Sequence, residues 1–221
     1  VLAVEIYIDM TENEESVFAP SDDEIFTTIW ISPRKIFKYI HESHHDKYVV
    51  TLLLLSGISR AFDRAALNDM GDSNSLTAII VLCIIAGGLF GWMTYYIYAA
   101  MLSWTGSWLG GKGNTKSILR ILAYGMLPSV VALIFLIPQL VIYGDEVFKS
   151  EGDITSGGLL ANVIVYGSMA IEFVLGIWTM VLCVVGISEV QKLNVGKSIL
   201  NLLLPAIVII VPIFIIILIS R

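Results

Sequence analysis

Five apolar stretches dominate the chain after Tyr48: residues 48–67, 77–102, 118–143, 160–187 and 198–219. A helix needs about 20 apolar residues to cross the hydrocarbon of a bilayer, and each stretch has that length. In lipid every backbone N–H and C=O must be satisfied within the protein, which leaves helices for segments of this kind. The sequence therefore predicts an all-α integral membrane protein with five transmembrane helices. Only 14% of its residues are charged, against about 25% in soluble domains. The first stretch is the least apolar: Val49–Ile58 is clean, but Arg60, Asp63 and Arg64 follow. The fourth is longer than a span requires and is expected to tilt. The fifth has no charge and is interrupted by Pro205 and Pro212, which kink membrane helices without ending them. Three segments result: an acidic tail (1–23), an amphipathic segment (24–47) and a five-helix membrane domain (48–221).

Charge is unevenly distributed. The first 24 residues hold eight acids and no Lys or Arg, the composition of a solvated, disordered tail. Neither this tail nor any basic patch suggests a nucleic-acid partner. Residues 1–10 lack the basic start of a signal peptide; Met10 reads as a natural start, with residues 1–9 upstream of it. Cys83 and Cys183 lie within apolar segments and read as small core residues. With the N-terminus in the cytoplasm, nine Lys and Arg residues fall inside (Arg34, Lys35, Lys38, Lys47, Lys112, Lys116, Arg120, Lys192 and Lys197). Four fall outside: Arg60, Arg64, Lys149 and Arg221. The excess favours that orientation.

Before the first span, Ile25, Phe26 and Ile29 group at helical spacing, as do Ile36, Phe37 and Ile40. Pro33 suits the first turn of a short helix capped by Ser32. This segment is expected to lie on the cytoplasmic membrane surface, with packing against the bundle as the alternative. His41-Glu42-Ser43-His44-His45 matches H-E-x-x-H, which on a helix places His41 and His45 on one face to bind zinc, with Glu42 as base. A third ligand is missing, since a catalytic zinc normally takes three, and the stretch reads as a solvated hinge. No cofactor is implied. Ser56, Arg60, Asp63 and Arg64 share one broad face of the first span, and Glu172 lies at comparable depth in the fourth. Unpaired charge at mid-bilayer costs about 2.5–3.5 kcal/mol, so a contact between Arg60 or Arg64 and Glu172 is expected. These five residues form a candidate intramembrane polar cluster. Ala86, Gly87, Gly88 and Gly91 signal close helix packing. The glycine-rich loop Gly106–Asn114 lacks the context of a phosphate loop. Together with the 188–197 loop and the amphipathic segment it is expected to form one cytoplasmic surface, marked by Trp30, Pro33, Arg34, Lys112, Glu189 and Lys192.

Several of these landmarks together resemble the Yip-domain family of membrane proteins, named for interaction with Ypt/Rab GTPases. The matching residues are Trp30-Ile31-Ser32-Pro33-Arg34, Leu55-Ser56-Gly57-Ile58 with Arg60, and Trp104-Thr105-Gly106-Ser107-Trp108-Leu109-Gly110-Gly111-Lys112. Ala123-Tyr124-Gly125-Met126-Leu127-Pro128, Ile177-Trp178 and Gly186-Ile187-Ser188-Glu189-Val190-Gln191 complete the set. The resemblance implies five membrane helices, a cytoplasmic N-terminus and a short exported C-terminus. Eukaryotic members act in vesicle trafficking; this chain lacks their D-L-Y-G-P stretch and resembles a bacterial member of the cytoplasmic membrane. The function expected is a non-enzymatic protein that organises membrane or partner proteins, its partners being lipid, proteins at the cytoplasmic face, or a second copy. The alternatives are a small-solute or ion transporter using Arg60, Asp63, Arg64 and Glu172, and, remotely, a zinc membrane protease.

Overall fold

A computed structural model describes residues 19–219, so residues 1–18 of the acidic tail lie outside the described residues. No strand occurs among the described residues. The helices are α1 (Asp22–Thr28), α2 (Pro33–Glu42), α3 (Val49–Leu67), α4 (Leu76–Trp108), α5 (Thr115–Gly125), α6 (Leu127–Tyr143), α7 (Gly158–Gln191) and α8 (Val195–Ile219). Four helical segments are long and apolar enough to cross a membrane: Leu76–Trp108, Thr115–Phe148, Gly158–Gln191 and Val195–Ile219. Helix α3 has 19 residues, but Arg60, Asp63 and Arg64 keep it from matching the other four in apolarity.

The third apolar stretch is not one straight helix. It breaks at Met126 into α5 and α6, and Pro128 sits in the first turn of α6. Proline has no N–H to donate to the preceding turn, so the chain restarts there. Helix α5 is thereby turned into the protein: Ile118, Ile121, Leu122, Ala123 and Tyr124 are all buried.

Helices α3 and α4 pack most closely, through glycines. A Cβ added to Gly57 would fall 2.6 Å from Gly91 Cα, and one added to Gly87 would fall 2.8 Å from Gly57 O. Neither position has room for a side chain, which is the close approach that small residues permit. Helices α6 and α7 form a second tight pair.

The N-terminal segment departs from expectation. Its helix begins within the predicted tail, at Asp22, behind a capping box: Glu24 N–H donates to Ser21 Oγ at 3.4 Å and Ser21 N–H to Glu24 Oε2 at 2.8 Å. The apolar face formed by Ile25, Ile29, Ile36, Phe37 and Ile40 is at most 1% exposed and belongs to the main core. It packs on protein, not on the membrane surface. Lipid and protein are equally apolar, so hydrophobicity alone does not choose between them. Shape does: at Gly186 on α7 a Cβ would collide with the Ile121 side chain and fall 3.3 Å from the Phe37 ring, so the missing side chain makes room for both. Pro33 opens α2 as expected, but the Ser32 side chain makes no capping bond.

Candidate functional site

One end of the molecule is a closed cap made of α1, α2, α5, the end of α4, the end of α7 and the start of α8. Gln191, the last residue of α7, lies at its centre and is fully buried. Its Nε2 donates to Leu102 O at 2.9 Å and to Asn201 Oδ1 at 3.0 Å, and its Oε1 accepts from Gly113 N–H at 3.1 Å. Asn201 on α8, also fully buried, donates to Leu102 O at 3.1 Å and to Thr105 Oγ1 at 2.9 Å. The Lys112 N–H donates to Gln191 O at 3.1 Å. Glycine makes room for this side chain: a Cβ on Gly106 or Gly111 would fall 2.7 or 2.9 Å from Gln191 Cδ. Gly106, Gly111 and Gly113 therefore cradle an amide of the protein itself. That stretch is also partly helical, because α4 runs to Trp108.

A second tie holds the hinge before α3. Arg120 on α5 is buried; its Nε donates to Asp46 Oδ1 at 2.5 Å and its Nη2 to Asp46 Oδ2 at 3.2 Å, a two-pronged guanidinium–carboxylate pair. Lys116 adds its charge at 3.5 Å. The Arg120 bond, before all else, holds the Asp46 carboxyl below its ordinary range. Asp22 accepts from Lys47 and from the Tyr48 hydroxyl, at 2.9 Å for the latter, so the start of α1 is fastened to the same hinge. The Lys47 bond lowers the Asp22 carboxyl as well.

The expected cap residues are partly brought together. Lys192 donates to Glu189 Oε1 at 2.8 Å, and Arg34 Nε stands 4.0 Å from Glu189 Oε2. Trp30 packs at the edge of the core and Pro33 starts α2. The H-E-x-x-H stretch does not form a metal-binding helix face. Helix α2 ends at Glu42 and His44 takes a left-handed conformation, so His45 leaves the turn that carries His41. His45 instead stands among the rings of Tyr39, Tyr48 and Tyr124, with Asp22 3.8 Å away. Burial, and then the charge of Lys192, pushes the His41 imidazole down. No group of three His, Cys, Asp or Glu side chains that could hold a metal occurs among the described residues.

The intramembrane cluster is rearranged. Ser56 is buried and donates to Leu52 O at 2.6 Å in its own helix. Arg60, Asp63 and Arg64 are exposed on α3. Glu172 does not reach Arg60 or Arg64: its Oε1 accepts from Gln139 Nε2 at 2.7 Å. Helix α6 supplies that partner and packs against both α3 and α7. Asp63 is within electrostatic range of both Arg60 and Glu172. Ser59 on α3 joins α6 directly, through Ser129 O at 3.0 Å.

Sequence reasoning missed Gln191, Asn201, Asp46, Arg120 and Gln139 as organising residues. For Gln191, Asn201 and Gln139 the available signal was an uncharged amide inside or beside an apolar run, which has few outlets other than another helix.

No curated protein and no solved structure matches the chain significantly. The model of the Yip1 domain matches residues 27–217, a range that begins just before the Trp30–Arg34 motif and contains the whole cap from α2 onward together with all the apolar helices. The protein is a multi-pass membrane protein that belongs to the Yip1-domain family.

Proposed function

We propose that this protein is a non-enzymatic organiser of the membrane, whose cap serves as a docking platform for protein partners or a second copy. The observation that carries the reading is the closure of the cap. Two family motifs, Gly106–Lys112 and Gly186–Gln191, build one buried polar latch and one packed apolar slot, and the third, Trp30–Arg34, leads into the helix whose Phe37 enters that slot. They build a densely packed surface. At the rim of that surface Ile31 is 86% exposed, between Ile29 and Ile36, which are wholly buried.

Five crossings, with the cap in the cytoplasm, fit this role. Helix α3 starts beside the Asp46–Arg120 tie at the cap end. It finishes near Met70–Asp72, where Asp72 accepts from Ser150 Oγ at 2.6 Å at the other end of the molecule. At about 1.5 Å per residue, its 19 residues nearly match the hydrocarbon thickness of about 30 Å. The cationic excess at the cap end supports a cytoplasmic placement of the N-terminus, and a bacterial cytoplasmic membrane is the setting that the sequence resemblance suggests.

A transport reading retains one observation in its favour, the Glu172–Gln139 pair between α7 and α6. The two readings separate in two experiments. Photo-crosslinking residues placed at Ile31 and Lys192 in native membranes should give discrete protein adducts, while one at Ile216 should give lipid adducts. Reconstituted liposomes should show no solute flux that depends on Glu172. Flux abolished by Glu172→Gln would overturn the organiser reading.

A further inference from the structure

At one corner of the cap two exposed tryptophans and two exposed lysines lie on neighbouring backbone. Trp104 and Trp108 are 53% and 54% exposed and their rings pack edge-on, with centroids 4.8 Å apart. They occupy the last turns of α4, past the long apolar run, where aromatic side chains sit at headgroup level. Lys197, in the first turn of α8, donates from Nζ to Leu109 O at 3.0 Å, which sets its ammonium one residue beyond Trp108. Lys112 stands three residues further on, its backbone fixed to Gln191. Both lysines are exposed. No carboxylate pairs with either among the described residues, in contrast to Lys192 and Lys116, which have Glu189 and Asp46.

The chain segments that build this corner carry no acid of their own. No Asp or Glu occurs from Leu76 to Gly144, nor after Glu189. Two exposed lysines near this pair of amphipathic rings, one with its ammonium fixed and the other with its backbone fixed, and neither paired with a carboxylate among the described residues, call for an anion supplied by the membrane. We propose that Trp104, Trp108, Lys112 and Lys197 form a binding site for the headgroup of an anionic phospholipid. The lysines meet its phosphate and the indoles lie along its glycerol and upper acyl region. The site rests on the bilayer placement of α4 and α8 and not on the organiser role, so it stands or falls independently.

The test uses the full chain in nanodiscs that contain acyl-brominated phosphatidylglycerol or acyl-brominated phosphatidylcholine at equal bromine content, read by tryptophan fluorescence. Quenching of the Trp104/Trp108 component is assigned by difference from the Trp104→Phe/Trp108→Phe variant. It should be stronger with the anionic lipid. Lys112→Gln and Lys197→Gln should each weaken the preference about fivefold, the worth of one cation near an anionic surface. Lys112→Arg/Lys197→Arg should restore it. Glutamine keeps a donor for Leu109 O, and unchanged circular-dichroism melting will confirm the fold. Equal quenching by the two lipids would overturn the proposal, as would a preference that survives both glutamine substitutions. Displacement of the lipid by inorganic phosphate at matched ionic strength would equally overturn it, because the corner would then be a site for a soluble anion.

Discussion

Replacing Gln191 with leucine would leave the Gly113 N–H and the Asn201 amide oxygen without their partner in a buried setting. Stranding groups of this kind costs about 1–3 kcal/mol, so Gln191→Leu should lower the thermal midpoint of the detergent-solubilised protein. Gln191→Glu should do at least as much harm, because it sets a carboxylate oxygen where an N–H now faces Leu102 O. Wild-type stability in the glutamate variant would contradict the latch. The Asp46–Arg120 pair makes a prediction of a different kind. The Asp46 carboxyl titrates lower when folded than when unfolded, chiefly through its Arg120 bond. Its stabilisation is therefore complete above the unfolded value of about 3.9 and is lost as pH falls from there through the folded value. Asp22, lowered by Lys47, acts in the same window. Unfolding curves between neutral and strongly acid pH should accordingly flatten in Asp46→Asn and flatten further in Asp22→Asn/Asp46→Asn. Since the Asp46 side chain is 49% exposed, the effect should be modest and shrink with added salt.

Among the elements, the α3–α4 pair depends on bare backbone meeting bare backbone at Gly57, Gly87 and Gly91. Overfilling a packed contact costs about 1–3 kcal/mol, so Gly87→Leu should destabilise the protein by that order. Gly88→Leu should not: a Cβ there meets only the end of the Ile58 side chain, at 4.0 Å. The contrast between adjacent glycines, read by thermal unfolding, separates packing from helix propensity, which changes equally in both. The small-residue cluster was legible in the sequence, but which glycines face α3 was not, because a helix that is apolar all round carries no periodic signal. The four long spans were legible for the reason α3 was less so: uninterrupted apolar length marks a span, and three charges blur it. The break at Met126 left only Pro128 as a trace, since Leu122 to Val131 reads as one apolar run. Periodicity identified the buried face of Ile36, Phe37 and Ile40 but not its cover, because that depended on Gly186, about 150 positions away. The Arg60–Glu172 contact failed for a related reason. Depth can be counted along a helix, but rotation about its axis and an intervening α6 cannot. Gln139 on that helix supplies a neutral partner for Glu172.

For the whole molecule, the two ends differ in how they are held. The cap is fastened by buried polar ties and a packed apolar core. The opposite end is fastened by short contacts between the 70–72 and 144–150 turns, such as Asp72 with Ser150, and by Phe62 stacked near Phe148. Between them α8 leaves the bundle after Pro205, and its side chains from there on are exposed except for the half-buried Val208, as in a helix facing lipid. An odd number of crossings follows only if α3 traverses the bilayer, and this can be read directly. Cys83 and Cys183 are buried in spans, so single cysteines introduced in the wild-type background can be labelled selectively. Lys112→Cys and Lys192→Cys should react with a membrane-impermeant maleimide from the same side, since Lys112 is bonded to Gln191, the neighbour of Lys192. Ser150→Cys should react from the other side. The deciding position is Asn74, half-buried just beyond α3 and placed at the same end as Ser150 by the Met70–Asp72 turn. With α3 spanning, Asn74→Cys will label together with Ser150→Cys. Labelling of Asn74→Cys together with Lys112→Cys would make α3 a helix that enters and leaves on the cap side. The contacts of Asp72 with Ser150 would then have to break in the membrane.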